Sequence, residues 1–274
     1  MKEIANKKIT LIIIMVVTIL LLYYLFNFWS DGLYARFNSN VGLELFYSFQ
    51  DFVPSFLILG LLSTCLVAES FYQNKQSRFQ NCIIARVGYR ERVKYEVKNI
   101  VITSFIVRLL YNIFVLLIIH MFFSNITFKE YSDASYYASG VVELFTNSKL
   151  SLLFYIIYSS IGFSIFSLFI YSISYFIKNQ YVFKISGIIL FIGLTVLSAI
   201  IGNQLYIYFS DIKFANPILQ ALTTSSLMVP AMMGFTSITS LFETHIYFWY
   251  TCLCFIIYSA IFLSIRYKLE RKNG

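Results

Sequence analysis

The sequence predicts an all-α polytopic membrane protein that crosses the bilayer six times, with both termini in the cytoplasm. Hydrophobic residues make up 59% of the 274 residues and charged residues only 12%, about half the charged share of a typical soluble domain. A soluble chain of this length could not bury so much apolar surface in one core. Lipid removes that problem, so we expect residues 1–274 to form a single transmembrane domain in the plasma membrane.

Six apolar runs have the length that a bilayer requires, because a helix needs about 20 apolar residues to cross about 30 Å of hydrocarbon. The predicted spans are residues 9–29, 52–73, 99–123, 150–177, 181–209 and 246–265. The first run is longer than the apolar core of a signal peptide, and no small-residue cleavage pattern follows it. We therefore expect it to be a retained first span.

The basic residues set the orientation. With the N-terminus inside, most of the 21 Lys and Arg residues fall on the cytoplasmic side, and the outer segments carry only Arg36, Lys129, Lys149 and Lys213. The opposite topology would violate the positive-inside rule. The net charge of +8 therefore reflects membrane orientation, and no nucleic-acid partner is expected.

The cytoplasmic turn at residues 74–98 carries a second pattern. Four apolar residues fall at helical spacing and predict a short amphipathic helix: Phe79, Ile83, Ile84 and Val87. Gly88 stands where a left-handed residue would end that helix, and a second helix is predicted to begin near Tyr89 and to run into the third span. The segment is either a basic loop held at lipid headgroups or a docking helix whose apolar face a partner protein covers. We favour the docking helix.

Together these features resemble the permease subunit of a type-2 ABC exporter. The features are the basic N-terminus, six spans, the helix-turn at residues 83–90, and Asn216-Pro217 in a longer outer segment before the last span. The resemblance implies a coupling helix at about residues 77–87, with Arg86 and Arg90 at its end, that fits into a groove on an ATPase subunit.

The same resemblance implies partners. These are two ABC ATPase subunits, a second permease chain (identical or related), and membrane lipid. The substrate would pass between the two permease chains near spans two and five, and a hydrophobic or amphipathic molecule such as a peptide is the first choice. The chain contains no G-x-x-x-x-G-K motif followed by Ser or Thr. It is therefore not expected to be an enzyme or to hold a cofactor, and ATP and Mg²⁺ would be bound by the partner ATPase.

The outer stretch at residues 211–245 is apolar but interrupted by Pro217 and Pro230. Such a stretch suits re-entrant or interfacial helices at the outer face, and the resemblance implies an outer gate that includes Asn216, Pro217 and Pro230. A broken seventh span is the alternative, and it would place the basic C-terminus outside.

Arg108 is the one clear charge within a predicted span. An Arg at the bilayer centre costs roughly 2.5–3.5 kcal/mol on insertion scales, so its side chain should face protein or water. A role in the transport pathway and a role in helix pairing both remain open, with Glu69 a distant candidate partner. Ser160, Ser164 and Ser167 share one face of the fourth span, which suits close helix packing.

No arrangement of catalytic or metal-ligating residues stands out in the sequence. The alternative function is a non-ATP membrane protein: a secondary transporter, or a membrane sensor or immunity protein. A secondary transporter should carry inverted repeats and ionisable residues at mid-membrane, and this chain offers only Arg108.

Overall fold

The computed structural model describes residues 11–24, 42–51, 53–68, 72–73, 86, 88–123, 125–126, 128, 147–209, 256–265 and 268. Within these ranges the chain is almost entirely helical and contains no strand. The helices are α1 Leu11–Tyr24, α2 Gly42–Asp51, α3 Val53–Leu61, α4 Tyr89–Phe122, α5 Ser148–Ile173, α6 Gln180–Phe209 and α7 Ile256–Ile265. Helix α3 continues as a π-helical segment, Leu62–Ala68.

Two of these helices, α4 and α5, are long and apolar enough to cross a membrane. Helix α4 has 34 residues and so extends over roughly 50 Å, which is longer than the hydrocarbon layer. Its first turns precede the third predicted span and contain most of its charged residues. The remaining helices fall within or beside the other predicted spans, whose number and orientation stay predictions.

Helix α2 was not anticipated from the sequence, which begins the second span only at residue 52. The Gly42 N–H at its start donates a hydrogen bond to the Asn125 carbonyl oxygen (3.2 Å) just beyond the end of α4. Most of its described side chains are buried, including Phe46, Phe49 and Gln50. Hydropathy alone misses this helix because Glu44, Gln50 and Asp51 interrupt its apolar character.

Helices α4 and α5 pack against each other in antiparallel orientation. The Ser164 hydroxyl donates to the Val101 carbonyl oxygen across the contact at 3.2 Å, and Ser160, Ser164 and Ser167 are all buried. The predicted packing face on the fourth span is thus confirmed. Small side chains let helix backbones approach closely, which is how helices associate where lipid supplies no hydrophobic driving force.

Helices α3 and α6 cross with their backbones in direct contact. A Cβ atom added to Gly187 would lie 2.4 Å from the Gly60 carbonyl oxygen, and one added to Gly60 would lie 2.9 Å from the Gly187 carbonyl carbon. One turn further along, Thr64 Oγ1 donates to the Lys184 carbonyl oxygen at 2.9 Å. The predicted second and fifth spans are therefore joined within one chain by a contact that tolerates only glycine.

We expect Gly187→Ala to destabilise the protein by about 1–3 kcal/mol, the usual cost of forcing extra atoms into a packed contact. Gly193→Ala is the matched control, because Gly193 lies on the same helix and an added Cβ would meet nothing within 4 Å. The control gains helix propensity, up to about 1 kcal/mol. Thermal unfolding in detergent should separate the two variants, and equal midpoints would contradict the backbone contact.

Candidate functional site

Most of the predicted docking residues lie outside the described residues, namely Phe79, Ile83, Ile84 and Val87. The predicted gate residues Asn216, Pro217 and Pro230 lie outside them as well, as does Glu69. Arg86 and Arg90 are described, and both are exposed.

The start of α4 follows the sequence prediction, whereas most of the predicted docking helix before it lies outside the described residues. Gly88 has φ 83° and ψ 153°, a left-handed φ that glycine adopts without the steric cost of a Cβ atom. Helix α4 begins at the next residue, Tyr89, and continues without a break to Phe122. The segment before Gly88 is thus attached to the end of one long, continuous helix.

One side of the first turns of α4 is solvated. Arg90, Lys94 and Lys98 recur at i, i+4 and are exposed. Lys94 forms an exposed ion pair with Glu91 at 2.6 Å, and the hydrogen bond from the Lys94 ammonium lowers the pKa of Glu91. Exposed pairs of this kind add little stability, so this side of the helix is basic and solvent-exposed.

The opposite side of the same turns is buried and charged. Arg92 and Glu96 form an ion pair at 2.6 Å, with side chains only 4% and 7% exposed. The Tyr171 hydroxyl of α5 donates to Glu96, and the hydroxyl oxygens of Tyr171 and Tyr175 are 2.8 Å apart. This Glu96 cluster (Arg92, Glu96, Tyr171 and Tyr175) ties the start of α4 to the end of α5.

A small cavity adjoins the Glu96 cluster. Tyr89, Val93 and Tyr175 line it from α4 and from the end of α5, and Phe262 and Ile265 line it from α7. Three helices therefore meet beside the first turns of α4, next to the segment predicted to dock a partner.

Arg108 lies deeper along α4 and is completely buried, with 0% exposure. Its Nη2 atom donates to Gln50 Oε1 of α2 at 2.9 Å, and its guanidinium carbon lies 5.7 Å from the centre of the Tyr111 ring. Among the described residues, none accepts a hydrogen bond from its Nε or Nη1. Arg108 thus faces protein, one of the two environments that the sequence predicts for it.

The hydrogen bonds continue from Gln50 in one direction. Gln50 Nε2 donates to Asn112 Oδ1 (3.4 Å), and Asn112 Nδ2 donates to Ser159 Oγ (3.0 Å). This Arg108 chain (Arg108, Gln50, Asn112 and Ser159) runs from α4 to α2, returns to α4 and ends on α5. Each hydrogen bond in the chain joins a buried donor to a buried acceptor, and this lowers the free-energy cost of placing polar groups in an apolar interior.

The α4 residues of the Glu96 cluster and of the Arg108 chain belong to one buried stripe on that helix. Every fourth residue is buried from the first turns to beyond the middle of the helix: Arg92, Glu96, Ile100, Ser104, Arg108 and Asn112. Of these residues, the sequence marks only Arg108 as an intramembrane charge. The i, i+4 spacing of Arg108 and Asn112 was a signal that could have added Asn112, whereas nothing in the sequence pairs Gln50 with either.

The described residues contain no group of three or more His, Cys, Asp or Glu side chains that could hold a metal ion. Comparison with protein-family models, with curated proteins and with solved structures gives no match for this chain. Functional inference therefore depends on the geometry of α4 and its neighbours.

We expect Glu96→Gln to lower the free energy of unfolding by about 3 kcal/mol, because it breaks a buried ion pair with Arg92 by removing one of its two charges. Glu91→Gln is the matched control on the same helix. It removes an ion pair of the same 2.6 Å length whose side chains are 54% and 59% exposed, and it should cost no more than about 1 kcal/mol. Thermal unfolding of both variants in detergent measures the difference, and equal losses would contradict the burial of the Glu96 cluster.

For the Arg108 chain, Gln50→Leu should destabilise the protein by about 2 kcal/mol, because it removes the hydrogen bond that Gln50 Oε1 accepts from the buried guanidinium. Combining it with Arg108→Met should restore much of that loss, since the unsatisfied charge is removed together with its partner. A double-mutant cycle measured by unfolding in detergent gives the coupling energy. Strictly additive losses would show that Gln50 and Arg108 do not interact.

Proposed function

We propose that this chain is the transmembrane permease subunit of an ATP-driven exporter of the type-2 ABC class. It would lie in the plasma membrane as a multi-pass protein with six spans, N-terminus and C-terminus inside. It would move a hydrophobic or amphipathic substrate, such as a peptide, out of the cell between two permease chains. A separate ATPase subunit would bind ATP and Mg²⁺ and supply the energy.

The observation that carries this proposal is the construction of the first turns of α4. A left-handed glycine precedes the helix, one side of it is basic and exposed, and the other side is locked to α5 through the Glu96 cluster. A force applied before Gly88 would act directly on the end of a continuous helix of 34 residues. A coupling segment needs such a mechanical connection to the spans.

The sequence supports a transporter whose ATPase is a separate subunit. It has no phosphate-binding loop in its sequence, so energy from ATP would have to come through a docked partner. Closure of two ATPases would then move the segment at residues 77–87 and switch the spans between inward-open and outward-open or collapsed states. The segment at residues 211–245 would form the outer gate.

The alternative is a non-ATP membrane protein such as a secondary transporter, sensor or immunity protein. Ionisable residues that serve a secondary transporter at mid-membrane line a substrate or ion pathway. The guanidinium of Arg108 is fully buried and its Nη2 is bonded to Gln50, which suits a fixed helix-pairing role better. Arg108→Met should accordingly retain transport if the protein still folds.

The docking test uses the tagged full-length chain purified from its native membrane. We expect an ABC ATPase to co-purify and ATP hydrolysis to depend on it, with no hydrolysis by the purified chain alone. The pair Ile83→Asp and Val87→Asp should abolish co-purification, because charges on the apolar face of the docking helix prevent its burial in a groove.

Tyr95→Asp is the control for that experiment. Tyr95 is 67% exposed on the first turns of α4 but lies outside the predicted docking helix, so its substitution should leave the ATPase bound. The ATP-driven proposal fails if no ATPase accompanies the wild-type chain, or if the Ile83 and Val87 variants bind it as well as the wild type does.

A further inference from the structure

A groove with a volume of about 310 Å³ lies between α4 and α5, at the end where α5 begins. Leu152 and Ile156 of α5 lie partly or fully buried at its base, and the exposed side chains of Ile113, Leu153 and Ile157 form its sides. Its described lining is apolar except for one residue, Lys149. The single cationic side chain at one end of this apolar groove distinguishes it from an ordinary lipid-facing surface.

The end of the groove at Lys149 is electropositive for two reasons. The Lys149 ammonium is exposed and lies 5.7 Å from the centre of the Phe128 ring. Lys149 also stands in the first turn of α5, which contains no acidic residue, and the start of a helix carries a partial positive charge. Asn147 Oδ1 already accepts hydrogen bonds from the Lys149 and Leu150 N–H groups at 3.0 and 3.4 Å, so an anion here would be held mainly by the Lys149 side chain.

We propose that this groove binds one anionic phospholipid, with the phosphate at Lys149 and an acyl chain along the groove between α4 and α5. Lys149 and Ile157 are separated by roughly 12 Å along the helix axis, so the groove leads from the level of Lys149 into the apolar part of α5. A phospholipid is the membrane molecule that carries a negative charge at one end of long apolar chains. This inference rests on the proposed function only in placing the chain in a bilayer.

A second groove shows why the charge matters. It lies between α1, the π-helical segment and α4, has a volume of about 210 Å³, and its described lining contains no charged residue. Leu110 lies on its wall and is 58% exposed, as is Leu153 on the wall of the first groove. The two leucines offer a matched pair of positions at which a larger side chain can block one groove or the other.

The test uses the delipidated full chain in detergent, without an ATPase, titrated with phosphatidylglycerol or with phosphatidylcholine of the same acyl chains. Native mass spectrometry counts the bound lipids. We expect phosphatidylglycerol to bind more tightly. Lys149→Gln should weaken its binding roughly fivefold, equivalent to about 1 kcal/mol per basic residue at an anionic headgroup. It should weaken phosphatidylcholine binding less, because the choline ammonium neutralises the phosphate of that lipid.

Leu153→Trp should weaken phosphatidylglycerol binding at least as much as Lys149→Gln does, whereas Leu110→Trp should leave it at the wild-type value. Equal affinity for the two lipids, or no effect of Lys149→Gln and Leu153→Trp, would overturn the proposal. A loss of dimers in the Leu153→Trp spectrum with unchanged lipid binding would also overturn it, by showing that a second copy of the chain covers the groove. Because no ATPase is present, the outcome is independent of the docking test.

Discussion

The packing of α4 against α5 is the contact on which the buried polar groups of the described helices depend. It buries a serine face on α5 and a polar stripe on α4, and a polar group removed from solvent raises the free energy of the fold unless it gains a partner within the protein. Near the start of α4 the partners are Tyr171 and Arg92 around Glu96. Further along α4 a partner comes from α2, because Gln50 Oε1 accepts a hydrogen bond from Arg108.

The stripe also determines where α2 can lie. Positions four apart on an α-helix advance by roughly 40° beyond a full turn, so the buried side of α4 rotates gradually from Arg92 to Asn112. A single neighbour cannot cover a surface that winds in this way. Among the described hydrogen bonds, the one that joins Glu96 to another helix comes from Tyr171 of α5. The Arg108 chain needs both α2 and α5.

The sequence predicted the features that local rules control. Helix α4 begins at Tyr89, directly after a glycine whose positive φ suits a residue without a Cβ atom, and Ser160, Ser164 and Ser167 share a face because helix periodicity puts them there. The cost of exposing a charge to lipid predicted protein or water around Arg108, and the structure places its side chain in protein. Each of these predictions needed only the residue and its near neighbours along the chain.

The features that it missed depend on residues far apart in the sequence. Gly60 and Gly187 look like ordinary glycines until α3 and α6 are placed together, and only then does the missing Cβ atom become a requirement. Helix α2 escaped for a related reason. A hydropathy profile suggests that the polar Gln50 lies in a loop. In the fold its amide oxygen accepts a hydrogen bond from Arg108.

The Arg108 chain constrains any movement of α4 that the proposed function requires. Hydrogen bonds are effective only near their usual 2.7–3.2 Å separations, so a shift of α4 by one helical turn, about 5.4 Å, would separate Arg108 from Gln50 unless α2 moved with it. A buried guanidinium cannot be left without an acceptor at low cost. Helices α2 and α4 should therefore move together, so that the first turns of α4, the Arg108 chain and α2 respond as one unit to a force applied before Gly88.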